Sequence, residues 1–307
     1  MELETALPKL SEQLSAAASE RDRFTRLRVG MPRLYRHLRR VGDERSVLNR
    51  WGQSVNTDEL ANQDIVAAEI LSLLGEITGV PMRPPGFHAG IQHTYGYLLS
   101  RIETPYGFKR DRWIQSTIED GFGLPRQSLQ ALPRRGTLLG NLTVFLSQLS
   151  LRDQPLVEIV GSMASLNLDE IARIKGHRIE ESFPLGSVSS KPHYSKNRHD
   201  SKKRNSDFER RHRHVQLRTD LFPFPRSTGD ERNRGLLVYS IREGTNPARL
   251  ITTFPVGQAT MDEWMDPSKM GKRQPIRLRF NAYLDGFPAD GIRGERRLHE
   301  LDANPLS

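Results

Sequence analysis

The stretch from Lys191 to Arg218 reads KPHYSKNRHDSKKRNSDFERRHRHVQLR and separates two parts of the chain with different hydrophobic patterns. It contains ten lysines or arginines and three acids, so it supplies +7 of the formal net charge of +9. Its first half has almost no aliphatic side chain and therefore little to bury in a core. We interpret residues 187–213 as a disordered basic linker between two folded regions.

Residues 1–186, before the linker, are predicted to form a mostly α-helical domain. Apolar side chains recur there at helical spacing, and Thr57 is a suitable N-cap for one of the helices. The stripe behind this N-cap comprises Val66, Ile70, Leu73, Leu74 and Ile77. Further helices are predicted over 89–102, 112–119 and 138–149, where apolar residues again line one side of each helix.

Residues 214–307, after the linker, have the pattern of short β-strands. Gly235 to Ile241, Arg249 to Val256 and Ile276 to Tyr283 are rich in β-branched and aromatic residues and are bounded by turn residues. His214 to Arg218 alternates and is predicted to be a fourth strand, with Val215 and Leu217 facing inwards. The expected fold class is therefore α+β, with a mostly helical N-terminal region, the linker and a small antiparallel β-sheet.

The composition excludes several kinds of protein. The chain has no cysteine, which rules out disulfides, thiol catalysis and thiolate metal ligands. Its longest apolar runs fall far short of the roughly 20 residues that a membrane-spanning helix needs, and its acidic N-terminus does not resemble a secretory signal. We therefore expect a soluble, cytoplasmic, two-domain protein with no membrane span.

The common catalytic and cofactor motifs are also absent. The sequence has no GxGxxG, no GxxxxGK[ST] phosphate loop, no HExxH and no GxSxG. His212 and His214 are two residues apart, but no third ligand lies near them in the sequence, so no metal site is predicted. The sequence identifies neither a cofactor nor an oligomeric state.

The leading functional prediction is binding of a polyanion, with RNA or DNA as the expected ligand. Lysine and arginine clusters neutralise phosphates and release counterions, which gives affinity without sequence preference. In this interpretation the cations belong to the linker and to the outward face of the predicted strand from Ile276 to Tyr283. The predicted contacts are Lys202, Lys203, Arg204, Arg210, Arg211, Arg213, Arg277, Arg279 and Tyr283. His214 on the same sheet is a candidate acid or base for phosphodiester cleavage.

An alternative is an enzyme that acts on a small anionic metabolite in the helical region. His93, Tyr97 and Ser100 share one side of the predicted helix over 89–102. Glu103 follows, and Lys109, Arg110 and Arg112 come shortly after it; these residues are a candidate base with its partner and three anion-binding cations. A third interpretation is a non-catalytic interaction protein in which the linker joins two modules.

Overall fold

A computed structural model describes residues 3–58, 63–104, 107–154, 168–185, 213–226, 228–266, 268, 274–276, 280–284 and 292–301 of the 307-residue chain. Within these residues the fold is α+β, as the sequence predicts: the first half is mainly helical and the second half is mainly an antiparallel sheet. The predicted linker lies outside the described residues except for the backbone of Arg213. The boundaries of the two expected domains stay a prediction.

The helices of the first half pack around one hydrophobic core. Before residue 155 they are α1 (Leu3–Ser15), α2 (Glu20–Gly30), α3 (Pro32–Asp43), α4 (Arg45–Leu48), α5 (Ala68–Thr78), α6 (Ala89–Ile91), α7 (Thr117–Phe122) and α8 (Leu138–Leu149). A π-helical turn, Gln92–Gly96, follows α6, and a 3₁₀-helix spans Lys109–Trp113. Every residue of α8 except Gln148 is buried, because the helix packs within the core and carries no charged side chain.

Short strands link these helices. They are β1 (Gln53–Ser54), β2 (Thr57–Asp58), β3 (Gln63–Asp64), β4 (Phe87–His88), β5 (Glu103–Thr104) and β6 (Gly107–Phe108). The prediction that Thr57 caps a helix is wrong, since Thr57 pairs with Asp64 in a two-stranded ladder and α5 begins only at Ala68. The apolar stripe that follows Thr57 is nevertheless buried, as expected.

The second half is built on one large antiparallel sheet. After α9 (Leu168–Ala172) come β7 (Gly176–Leu185), β8 (Arg213–Pro223), β9 (Gly235–Glu243), β10 (Arg249–Val256), α10 (Gln258–Met265), β11 (Gln274–Ile276), β12 (Ala282–Tyr283) and β13 (Ile292–Leu301). The strand order is β10-β9-β8-β7-β13-β11. Strand β7 lies within the range predicted to be mostly helical. No strand was predicted there, although β7 pairs with β8 from His177 to Leu185.

The predicted strand from Ile276 to Tyr283 is not continuous. Ile276 ends β11 in the large sheet, whereas Ala282 and Tyr283 form β12 in a separate sheet with β1 and β4. Phe280 and Asn281, just before β12, have φ angles of 52° and 60°, which are incompatible with an extended strand. The side-chain alternation expected across this segment is therefore wrong.

The strands β8, β9 and β10 of the large sheet bury side chains on both faces. On one face Val215 and Leu217 are fully buried, as predicted, in a core with Ile179, Tyr239 and Met261 of α10. On the other face, side chains from three strands join the core of the helices; they are Phe222, Leu236, Val238 and Leu250. The helical region and the sheet therefore share a hydrophobic core.

Backbone hydrogen bonds reinforce this junction. The N–H of Gly52 donates to the carbonyl of Leu250 at 2.8 Å, and the N–H of Leu250 donates to the carbonyl of Arg50 at 2.8 Å. Between them, the Trp51 indole donates to Thr143 Oγ1 at 2.8 Å and packs over Gly90, where a Cβ atom would lie 2.7 Å from the ring. Glycine is thus required at position 90 for this close approach.

Candidate functional site

The basic segment is attached at one end of the large sheet. Leu185, the last residue of β7, is the backbone partner of Arg213, the first residue of β8. Residues 186–212 therefore connect two adjacent antiparallel strands, and both ends of this connection lie at the same point of the sheet. Neighbouring strands are about 4.8 Å apart, so the cationic segment is anchored at two closely spaced positions.

A pocket lies directly beside this attachment point. Its volume is about 260 Å³, and its lining includes Ser182 of β7, His214 and Gln216 of β8, and Arg242 and Gly244 at the end of β9. Ser182 pairs with Gln216 and Gln216 pairs with Arg242, so these three side chains form one row across the sheet. His214 is exposed, and the Nε of Arg242 is buried without a hydrogen-bond partner in the described part of the chain. The pocket therefore offers an imidazole, an amide and a guanidinium to a ligand.

A second polar row lies under the pocket, one step further along the strands. Arg218 Nε lies 3.2 Å from Glu180 Oε1, and Gln216 donates to Glu180 Oε2 at 3.0 Å. The prediction that Arg218 faces away from Val215 and Leu217 is confirmed, but this arginine is only 5% exposed. Asp153, from the loop after α8, lies 3.6 Å from Arg218 Nη1 and covers it. This row holds Gln216 in place and keeps Arg218 neutralised.

The third row is mostly buried: Asp220 is fully buried and the side chain of Arg178 is 13% exposed. Asp220 accepts hydrogen bonds from Arg178 Nε at 2.7 Å and from Arg178 Nη2 at 2.8 Å, and it also accepts one from the hydroxyl of Ser150. Arg178 Nη2 donates in addition to the carbonyl of Ser150 at 2.6 Å. Local sequence patterns do not reveal this network, because its three members are far apart in the chain. It ties the end of α8 to the middle of the sheet.

The residues of the predicted metabolite site partly converge. His93 lies in the π-helical turn, where its ring packs on Tyr97 with centroids 4.7 Å apart. Lys109 Nζ and Arg112 Cζ, both from the 3₁₀-helix, lie 5.1 Å and 5.5 Å from the centre of the Tyr97 ring. Turns of π-helix are frequent at functional sites, so this cluster is a genuine candidate.

Burial controls the chemistry of this cluster. It lowers the pKa of His93 to about 3 and raises the pKa of Tyr97 to about 12, so both groups are neutral at pH 7. Nδ1 of His93 lies 2.8 Å from the carbonyl of Ala89, and since a carbonyl only accepts, Nδ1 carries the proton. A base with so low a pKa removes protons weakly near neutral pH.

The cations of the cluster already have partners. Lys109 Nζ lies 3.2 Å from Asp58 Oδ2, and Arg112 Nη1 donates to the carbonyl of Thr253 at 3.2 Å. Arg112 also stacks on Phe254, which joins the cluster to the sheet. Lys109 and Arg112 are therefore partly buried cations that join neighbouring elements, and part of their hydrogen-bonding capacity is already in use.

Two members of the predicted metabolite site lie apart from His93. Glu103 is exposed in β5, and no contact between Glu103 and His93 is found among the described residues. Arg110 stacks on Phe108 with its Cζ 3.9 Å from the ring centre, and its Nη1 donates to the carbonyl of Ser100 at 3.5 Å. The structure thus brings His93, Lys109 and Arg112 together around Tyr97, without Glu103 or Arg110.

Most of the predicted nucleic-acid contacts lie outside the described residues. These seven are Lys202, Lys203, Arg204, Arg210, Arg211, Arg277 and Arg279. Only the backbone of Arg213 is described, at the start of β8. Tyr283 is half-buried in β12 and pairs with Gln53, so it does not lie in the large sheet with His214.

A cationic surface that was not predicted from the sequence lies on α3. Leu34, Leu38 and Val41 of this helix are fully buried, which turns the opposite side towards solvent. The arginines on that side are exposed and make no ion pair within the described part of the chain; they are Arg33, Arg36, Arg39 and Arg40. The amphipathic pattern of the helix was the signal that could have revealed them.

The comparisons with known proteins found no relative of this chain. No protein-family model, no curated protein and no solved structure matches this chain. In the described ranges no helix combines the length and apolarity needed to cross a bilayer, and no group of three or more potential metal ligands occurs. The fold and the pocket therefore define the class of protein only as an α+β protein with a cationic, histidine-bearing pocket at the end of an antiparallel sheet.

Proposed function

We propose that this protein binds single-stranded RNA or DNA at the end of the large sheet where the basic segment is attached. The observation that carries the proposal is the pairing of Leu185 with Arg213. It anchors both ends of residues 186–212, which contain eight lysines or arginines and three acids, beside the pocket of His214 and Arg242. Cations from the segment and from the sheet can therefore act on the same stretch of phosphate backbone.

Each group has a defined role in this proposal. The cations of the segment supply counterion release, which accounts for most of the affinity of non-specific binding. Arg242 donates to phosphate oxygens, and His214 and Gln216 offer hydrogen bonds to a phosphate or a base edge. The proposed function needs no cysteine. We place the protein in the cytoplasm, where nucleic acids are available.

The pocket also supports phosphodiester cleavage as an extension of binding. His214 is exposed at the pocket, so its imidazole can reach a bound phosphodiester as a general acid or base. Arg242 can stabilise charge on the phosphate. The metabolite-enzyme alternative has weaker support, because Lys109 and Arg112 are already engaged by Asp58 and Thr253. The observed contacts therefore favour polyanion binding.

Fluorescence anisotropy of a labelled single strand, measured from about 50 to about 200 mM salt, tests the proposal. The logarithm of the affinity should fall linearly with the logarithm of the salt concentration. With four to eight cations engaged, the expected slope lies between about −3 and −6. No binding at low salt, or affinity independent of salt, would contradict the proposal.

A matched pair of triple variants locates the contacts. Replacing Lys202, Lys203 and Arg204 by serine should reduce the magnitude of the slope by about 2. The control replaces Lys9, Arg21 and Arg83, which are exposed residues of the helical region and do not line the pocket. It removes the same charge and should leave the slope nearly unchanged. Equal losses in both triple variants would show that net charge alone, and not the segment, causes binding.

A further inference from the structure

A second pocket lies at the other end of the molecule's long strand β8. Its volume is about 330 Å³, within the range of small-molecule sites. Segment 121–123, which leads into it, packs on Phe224, and the N–H of Arg226 donates to the carbonyl of Gly121 at 3.1 Å. Phe224 follows the last residue of β8, whereas His214 is near its first. An 11-residue strand spans roughly 33 Å, so the two pockets are separate sites.

Three arginines line this second pocket. Arg134 and Arg135 are exposed and have no ion-pair partner among the residues that the structure describes. Arg126 lies 3.4 Å from Asp120, but the two side chains are 79% and 45% exposed, so this pair is weak. The pocket therefore carries an uncompensated positive charge.

Two buried polar atoms in the same pocket have no hydrogen-bond partner in the described part of the chain. They are Ser128 Oγ and Asn141 Oδ1, on residues that are 8% and 5% exposed. A buried polar atom without a partner is destabilising and rare in native proteins. A ligand bound in this pocket is one source of the missing partners.

Asn141 also shows that the pocket walls are held in place. Its Nδ2 donates to the carbonyl of Ser128 at 3.0 Å and to the carbonyl of Arg135 at 2.8 Å. These two bonds fix the orientation of the amide and therefore the position of Oδ1. As an amide oxygen, Oδ1 only accepts hydrogen bonds. Asn141 itself is fixed in the first turn of the buried helix α8. The two segments that carry the arginines are therefore joined to a rigid element.

We propose that this pocket binds a small phosphate monoester that carries a hydroxyl group near its phosphate, such as a sugar phosphate. Guanidinium groups match phosphate oxygens with paired hydrogen bonds, which suits Arg134 and Arg135. The Ser128 hydroxyl donates to a third phosphate oxygen. Asn141 Oδ1 accepts from the hydroxyl of the ligand, which a bare phosphate lacks. This site is additional to the nucleic-acid site at His214 and does not depend on it.

Isothermal titration calorimetry with ribose 5-phosphate tests the proposal, with ribose and inorganic phosphate as comparison ligands. Ribose 5-phosphate should bind most tightly and ribose should not bind. The double variant Arg134→Gln/Arg135→Gln should weaken binding of ribose 5-phosphate at least tenfold. The matched control, Arg33→Gln/Arg36→Gln on α3, removes the same charge from exposed positions and should not.

Ser128→Ala provides an independent variant. It removes a hydroxyl that has no partner in the unliganded protein, so the variant should fold with unchanged or slightly higher thermal stability. Its affinity for ribose 5-phosphate should fall roughly tenfold, as expected for the loss of a hydrogen bond to a charged group. The proposal is overturned if ribose 5-phosphate does not bind, if ribose binds equally well, if inorganic phosphate binds as tightly, or if both double variants lose the same affinity.

Discussion

Arg178 and Asp220 form a bidentate ion pair in the middle of the large sheet, with both hydrogen bonds at 2.7–2.8 Å and the carboxylate fully buried. The two residues are backbone partners on β7 and β8. Opposite charges placed directly across two strands satisfy each other, and Ser150 at the end of α8 completes the cluster. The pair thus couples the sheet to the helical region.

The first prediction concerns this pair. Arg178→Ala should lower the free energy of unfolding by about 3–5 kcal/mol, because it leaves the Asp220 carboxylate buried without its counter-charge. Urea unfolding followed by circular dichroism measures the loss. Arg232→Ala is the matched control, since Arg232 also forms a bidentate pair, with Asp230, but is 85% exposed. It should change stability little, and a large loss in the control would show that the exposure of the pair is unimportant.

The second prediction concerns the shared core. Leu250 is fully buried in β10 and packs in the same core as the helices. Leu250→Ala should lower the free energy of unfolding by about 2–5 kcal/mol. Amide hydrogen exchange during urea unfolding should show that α8 and β9 lose their protection in one transition. Val29→Ala, at a 71% exposed position, is the control. Two separate transitions would mean that the helical region and the sheet fold independently.

The third prediction concerns Glu119, which is buried in α7 and accepts a hydrogen bond from the N–H of Leu129 at 2.9 Å. Burial raises the pKa of Glu119 from 4.5 to about 7. Between these two values the unfolded chain releases the proton while the folded protein retains it, so the free energy of unfolding falls as the pH rises.

Glu119→Gln should therefore stabilise the protein at pH 8 by on the order of 2 kcal/mol and change little at pH 4. Glutamine can accept the same hydrogen bond and carries no charge. Chemical denaturation at both pH values is the measurement, with Glu76→Gln at an exposed position as control. An equal effect of Glu119→Gln at both pH values would argue against a buried neutral carboxyl.

The fourth prediction concerns His93, whose pKa burial lowers to about 3. As the pH falls from 6.5 to about 3, the unfolded chain binds a proton at this residue and the folded protein does not. The free energy of unfolding should therefore fall by up to about 1.4 kcal/mol per pH unit from this group.

His93→Gln should flatten the pH dependence in this window. Thermal melts over the same range provide the measurement. A pH profile of His93→Gln that runs parallel to that of the parent protein would exclude His93 as the group responsible.

The local pattern of the sequence determined much of the secondary structure. Helix α8 and strand β10 begin and end where predicted, at Leu138–Leu149 and Arg249–Val256. Both segments have a single apolar period and clear turn residues on either side, so the local preference and the tertiary environment agree. The burial of Val215 and Leu217 follows for the same reason.

Local patterns failed where a segment depends on a distant partner. Gly176–Leu185 is a strand because it lies between β8 and β13, and its charged residues gave no strand signal. The turn at Phe280 and Asn281 breaks a run that alternates well, because Ala282 and Tyr283 pair instead with β1. Strand pairing depends on neighbours that the local sequence does not contain.

The sequence by itself determined the α+β class, the absence of thiol chemistry and the concentration of positive charge between Lys191 and Arg218, because composition and periodicity are properties of the chain. Only the tertiary structure decided that Leu185 and Arg213 are adjacent, that Lys109 and Arg112 are already engaged, and that Ser128 and Asn141 share a pocket with three arginines. Such juxtapositions arise from long-range packing, in which residues far apart in the chain become neighbours as the core forms.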